Sequence, residues 1–124
     1  MRTSGEVRVF VERRCSWIDA IDRAAELFHM LGMDRTAARN GVLVYVALKD
    51  RQLAVYGDEG IHRKVGTEYW NQAVREMLEQ FNHAHYAGGI AGCVHKVGAA
   101  LQQHFPYDRH SDTNELSDEI VYGG

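Results

Sequence analysis

The 124-residue chain is long enough for one domain with its own core, and 45% hydrophobic with 25% charged residues is an ordinary globular balance. A formal net charge of -3 argues against a general nucleic-acid surface, and no run approaches the ~20 apolar residues of a membrane span. The first ten residues hold no apolar segment of signal-peptide length, so the expectation is a soluble cytoplasmic protein, with Cys15 and Cys93 as reduced, partly buried thiols rather than a disulfide.

Glu6 to Glu12 reads EVRVFVE. Val7, Val9 and Val11 alternate with Arg8, Phe10 and Glu12, which predicts a strand with one face in the core. Ser16 is a good N-cap with Asp19 three residues on, and Trp17, Ile18, Ile21, Ala24, Ala25, Phe28 and Leu31 form a helical stripe. Gly32 stands where a left-handed residue ends such a helix, and Met33 to Arg39 reads as a loop or one short turn. Asn40-Gly41 is a turn signal. The run Val42 to Leu48 is apolar at successive positions, β-branched and aromatic, and so predicts a central strand buried on both faces. After the polar break Lys49 to Gln52, Leu53 to Tyr56 is a second strand, close enough to form an antiparallel hairpin.

Gly57-Asp58-Glu59-Gly60 reads as a flexible acidic loop. Thr67 then looks like the N-cap of a second helix with Tyr69 or Trp70, and Ala73, Val74, Met77, Leu78 and Phe81, on its apolar face. His83-Ala84-His85 is a break, and Tyr86 to His104 is a third helix, with Ile90, Val94, Val97 and Leu101 three or four apart. Gly88, Gly89, Gly92 and Gly98 cost that helix roughly 1 kcal/mol each relative to alanine, offset by close approach to the sheet or another helix. Pro106 ends the body of the domain, residues 1–106. Residues 107–124 are an acidic tail, partly docked or mobile, in which Leu116, Ile120, Val121 and Tyr122 are the docking candidates. The architecture expected is α/β: a small mixed sheet flanked by helices, in the order β-α-β-β-α-α, with a right-handed parallel crossover between the first two strands.

The pattern resembles the TPM domain family. The residues that carry the resemblance are Thr3-Ser4-Gly5-Glu6, Ala24 to Phe28 with Leu31-Gly32, Asn40 to Leu43, Gly57, Gly60-Ile61, and Tyr86 to Ile90. The tail from Asn114 to Ile120 looks like the end of the small, soluble bacterial branch. The resemblance implies a TPM-like sandwich, and it implies acid phosphatase chemistry with a divalent cation held among carboxylates, as described for plant relatives. This chain departs from the pattern in two ways. Many members carry Asp before the Asn-Gly and Glu after the Gly-Ile, where this chain has Arg39 and His62. The family usually has a helix ahead of the first strand, and this sequence reaches that strand almost at once, so one sheet face is expected to lack a cover and to invite self-association.

Three constellations could carry chemistry. Asp34, Asn40, Asp58 and Glu59 supply oxygens that a hard cation such as Ca²⁺ or Mg²⁺ would take, if the Asn-Gly corner and the acidic bend share a rim; the bland reading is a solvated acidic turn. Arg35, Arg39, His62 and Arg63 would welcome an anion, and the crevice beyond the carboxyl ends of the strands is the usual ligand place in such sheets. The sequence has no P-loop and no evident nucleophile beside a base, so a scattered basic rim is the bland reading there. His83 and His85, with His62 or His104, lack the four clear ligands of a zinc site and read as ordinary loop histidines. Two functions follow. The leading one is a non-catalytic or weakly active module that binds a protein or a small phosphorylated ligand through Arg39, Asn40 and Arg63. The alternative is a metal-assisted phosphomonoesterase with Asn40, Asp58 and His62 as catalytic candidates.

Overall fold

A computed structural model describes residues 5–15 and 18–106, together with the backbone of residues 120–122. Ser16, Trp17 and the tail residue Leu116 lie outside them, as do Thr3 and Ser4. The elements are β1 (Glu6–Glu12), α1 (Ala20–Met30), a 3₁₀ turn (Met33–Arg35), β2 (Gly41–Ala47), β3 (Gln52–Gly57), α2 (Glu59–Val65), α3 (Thr67–Asn82), α4 (Tyr86–His104) and β4 (Ile120–Tyr122). The sheet is mixed, in the order β3-β2-β1-β4. β1 runs parallel to β2, with Glu6 opposite Gly41, and β2 runs antiparallel to β3, with Val42 opposite Gly57. The tail residues Ile120–Tyr122 pair in parallel with Val9–Val11.

The unbroken apolar run makes β2 the centre of the molecule: every side chain from Val42 to Ala47 is fully buried. Its two faces feed two cores. Val42, Val44 and Val46 pack with Val7, Val9 and Val55 under α3 and α4, where Trp70, Met77, Phe81, Val97 and Leu101 close the layer. Leu43 and Tyr45 pack with Phe10 and Ala54 under α1, against Ala24, Leu27 and Phe28. Each fully buried aliphatic or aromatic side chain contributes about 1.5–3 kcal/mol, so this two-sided burial dominates the stability of the fold.

β1 departs from its expected one-faced pattern. It is an interior strand, so its even-numbered face is also covered: Phe10 is buried, and so are Glu6 and Glu12. Burying a carboxylate is tolerable only with partners. Glu12 takes a bidentate ion pair from Arg23 of α1, at 3.1 and 2.8 Å, and a hydrogen bond from the Tyr45 hydroxyl. The bare sheet face expected to drive self-association is therefore not seen among the described residues. The large apolar side chains that are exposed, Ile21, Met30, Leu48, Leu78 and Tyr86, all lie off the strands.

Three helix boundaries differ from the sequence expectation. α1 begins at Ala20 with Asp19 at its N-cap, not at Ser16. The approach to it is tied down instead: the Cys15 amide donates to the Asp50 carboxylate at 2.8 Å and its thiol to the Ile18 carbonyl at 3.1 Å. Gly32 does end the helix region in the left-handed conformation, at φ 71°. Thr67 is the first residue of α3, and the N-cap is Gly66. The segment after β3 is a helix rather than a flexible loop. Asp58 caps it, its carboxylate accepting the Glu59 amide at 2.8 Å, and Ile61 anchors it in the core. In α4 the expected close approach exists at Gly89, whose Cβ would lie 3.0 Å from Gln80 Cβ and Phe81 of α3, whereas Gly88 and Gly92 face open space.

Candidate functional site

The corner before β2 and the bend after β3 meet at one rim. Because β2 and β3 are antiparallel, the start of one adjoins the end of the other. The Asp58 amide donates to the Gly41 carbonyl at 2.9 Å, and the amides of Gly60 and Ile61 both donate to the Arg39 carbonyl, at 2.8 and 3.3 Å. Gly60 is required here: a Cβ would lie 2.6 Å from the Arg39 carbonyl oxygen and closer still to that of Ala38. Arg39 adopts φ 51°, a left-handed backbone unusual for a side-chain-bearing residue, and this turns the corner. The rim stands at the amino ends of β1 and β2 and the carboxyl end of β3. It is thus not the crevice beyond the carboxyl ends of the parallel strands that the sequence reading favoured.

Arg39 dominates the electrostatics. Its Nε and one terminal nitrogen donate to the two carboxylate oxygens of Asp58, at 2.7 and 2.8 Å. Asp58 is the deep partner, with a side chain 4% exposed against 41% for Arg39. The same Asp58 carboxylate also accepts the Glu59 amide, so both of its oxygens are engaged. Hydrogen bonding to Asp58 raises the Arg39 guanidinium above its ordinary value, helped by the negative charges of Asp58, Glu59 and Asp34. Glu59 stands between Arg39 and Arg63, 3.7 Å from each.

The other candidates are placed differently. Asn40 is 1% exposed, and its amide donates to the Thr36 hydroxyl at 3.2 Å, so it belongs to the floor of the corner rather than its surface. Asp34 faces His29, whose Nδ1 lies 3.0 Å from the carboxylate; that contact holds the Asp34 carboxyl below its ordinary range. Arg35 extends beside Gly32. His62 sits on α2, and its Nδ1 accepts the indole N–H of Trp70 at 2.9 Å. That bond requires an unprotonated Nδ1, so the neutral ring carries its proton on Nε2. His83 and His85 are exposed, with ring centres 6.3 Å apart. The rim therefore brings together Arg39, Asp58, Glu59 and Arg63, with His62 turned toward Trp70. Among the described residues, no three His, Cys, Asp or Glu side chains form a group that could hold a metal ion.

From the rim a cleft of about 750 Å³ runs along β3. Arg39, Asp58, Glu59 and His62 form its end, Leu53 to Gly57 its floor, and Trp70, Asn71, Val74 and Arg75 of α3 one wall, with Ile21 of α1 opposite. Gly57 admits Trp70, since a Cβ there would meet the indole Cζ2 at 2.5 Å. The sequence reading placed Trp70 in the core; it is buried and it also lines the cleft. The cleft escaped that reading because its residues come from four elements, α1, β3, α2 and α3, and the corner before β2, and carry no common spacing.

A small mixed sheet with helices on both faces, and a rim made by an Asn-Gly corner and a capped bend, is the architecture of a small α/β sandwich domain. Residues 1–100 match the TPM domain, and the chain belongs to that family. It is similar to the BA42 protein of the psychrophilic bacterium Bizionia argentinensis, with 39% identity, a TM-score of 0.86, and 98% of this chain and 83% of that chain covered. It shares its fold with the N-terminal domain of the cg2496 protein from Corynebacterium glutamicum, at 12% identity and a TM-score of 0.58, over 93% of this chain and 64% of that one. None of the curated proteins compared with it matches. Among the described residues, no helix is long and apolar enough to cross a membrane.

Proposed function

We propose that this TPM domain is a binding module without phosphomonoesterase turnover, and that the cleft leading from the Arg39–Asp58 rim receives its partner. The observation that carries the reading is the bidentate lock of Arg39 on Asp58. A hard cation needs carboxylate oxygens with open lone pairs and a local negative charge. At this rim the most deeply buried acid already has both oxygens engaged, and a guanidinium stands where a cation would neutralise it. Arg39 in place of the Asp carried by many members makes the same point from sequence. His62 supports it further, because its Nδ1 is engaged with Trp70 and only Nε2–H remains to face a ligand. The lock organises the rim without any added ion, which suits a surface that recognises rather than reacts.

Hydrolysis of p-nitrophenyl phosphate by the whole chain, with and without Ca²⁺ or Mg²⁺, tests the proposal. The expected result is no turnover above buffer and no metal-induced rise in melting temperature. Metal-dependent turnover that is lost in Asp58→Asn would overturn it in favour of a metal-assisted phosphatase.

A further inference from the structure

Among the described residues β3 is an edge strand, and the cleft lies along its open side. The backbone there can be assigned group by group. The bond from the Asp58 amide to the Gly41 carbonyl makes that pair a hydrogen-bonded one, and in an antiparallel ladder such pairs alternate. Tyr56, Ala54 and Gln52 therefore exchange bonds with Leu43, Tyr45 and Ala47 of β2. The N–H and C=O groups of Leu53, Val55 and Gly57 point the other way, into the cleft. Natural edges are usually blunted with lysine, proline or a bulge. Leu53-Ala54-Val55-Tyr56-Gly57 carries no charge and no proline, and its pairing with β2 is regular throughout.

The flanking helices decide what can pair with this edge. α3 packs on β3, and α1 packs on β3 and β2, so each face of the edge strand is overlaid by a helix. Paired strands lie about 4.8 Å apart, whereas packed helix axes need about 8–10 Å. A second copy of β3 would bring its own α1 and α3 into collision with these. An extended segment without flanking helices meets no such barrier. The charges at the two ends of the strand then set its polarity. Lys49 and Arg51 precede β3, and Glu59 follows it with an exposed side chain.

We propose that the open edge of β3 takes an extended peptide segment as an added antiparallel strand. The segment places apolar side chains against Trp70 and Val74, a basic residue at its N-terminal end near Glu59, and an acidic residue at its C-terminal end near Arg51. The proposal rests on the binding-module reading above and names its partner class. Main-chain bonds to Leu53, Val55 and Gly57 supply the adhesion, and the two charged ends supply direction.

The test uses the full chain, labelled with ¹⁵N, and the capped probe peptide Lys-Thr-Val-Thr-Val-Thr-Val-Thr-Glu. In the expected register the three valines face Gly57, Val55 and Leu53. Saturable shifts of those three amides are expected. Binding should weaken about tenfold or more when the valines are N-methylated, which removes three backbone donors, and should persist when the threonines opposite Tyr56 and Ala54 are methylated instead. No saturable shift at millimolar peptide, or equal binding of both methylated peptides, would overturn the proposal. So would amide shifts that grow with protein concentration alone and come with an intermolecular contact between the Hα atoms of Ala54 and Tyr56, since the edge would then belong to a second copy. Assaying the same samples for p-nitrophenyl phosphate turnover keeps failure of the underlying reading visible apart from failure to bind peptide.

Discussion

Gly60→Ala probes the joint on which the rim depends. The added Cβ would lie 2.6 Å from the Arg39 carbonyl oxygen, against an ordinary contact beginning near 3.4 Å, and the opposing atoms are backbone that cannot swing aside. α2 and the Asn-Gly corner must part, which lengthens the two bonds that the Gly60 and Ile61 amides make to that same carbonyl. Overpacking and two weakened backbone bonds together predict a loss of about 2–4 kcal/mol. For a chain of this size that is a fall in melting temperature of roughly 8–15 °C by circular dichroism. Gly92→Ala is the matched control. Its Cβ meets nothing within 4 Å in the interior of α4, so the same chemical change should stabilise by about 0.5–1 kcal/mol. A Gly60→Ala protein melting within about 2 °C of wild type would refute the side-by-side arrangement of corner and bend.

Arg39→Asp removes the guanidinium from Asp58 and sets a new carboxylate beside Asp58 and Glu59; the variant should gain a Ca²⁺- or Mg²⁺-dependent rise in melting temperature that wild type lacks, measured by calorimetry with and without the ion. Tyr45→Phe leaves Glu12 without one of its donors inside the sheet and should cost about 1.5–3 kcal/mol in urea unfolding. Glu12 itself sets an acid limit. The hydrogen bonds from Arg23 hold its carboxyl below the ordinary 4.5, so its contribution is full above that value and is lost as pH falls through the lowered one. The acid-side slope of stability should shrink in Glu12→Gln. Burial pushes the Cys93 thiol up to about 12, so iodoacetamide at pH 8 should leave it unmodified in the native protein and label it on unfolding, as read by peptide mass mapping.

What the sequence disclosed and what it hid divide along physical lines. β2 was legible because a run buried on both faces leaves no polar position to confuse the period, and α4 because Ile90, Val94, Val97 and Leu101 keep helical spacing across Gly92 and Gly98. The rim was legible because a hairpin must bring the start of one strand to the end of the other. α2 was missed: seven residues that contain Gly60 and stop at Gly66 look like loop, although Asp58 followed by Glu59, Ile61 and Val65 does give a cap, a first-turn acid and an i, i+4 apolar pair. The second buried face of β1 was hidden for another reason. Arg8 and Glu12 read as solvent-facing until Arg23, eleven residues on, is known to reach back over the strand to Glu12. The Arg39–Asp58 lock was beyond the reading as well. The sequence placed both residues at one edge, but only the left-handed φ of Arg39 aims its guanidinium at the carboxylate rather than at solvent.

That lock bears on the chemistry of the whole rim. A divalent ion and a guanidinium can both neutralise a buried carboxylate, but they leave different surfaces. An ion held by oxygens keeps exchangeable positions that can polarise a phosphate or a water. A guanidinium spends its fixed donors in one plane and offers no Lewis-acid site. With Arg39 fastened to Asp58 by two short bonds, the rim is rigid and close to neutral, and the features left open to a partner are the cleft's apolar wall and the three outward-facing backbone pairs of β3. Under the proposal those groups suit an extended chain better than a small anion, since an anion would meet the negative charge of Glu59 and a guanidinium already engaged. In the proposed reading the two ends of the cleft divide the work: the Arg39–Asp58 pair closes the rim to an ion, and the edge of β3, set by the strand order, offers main chain to a partner.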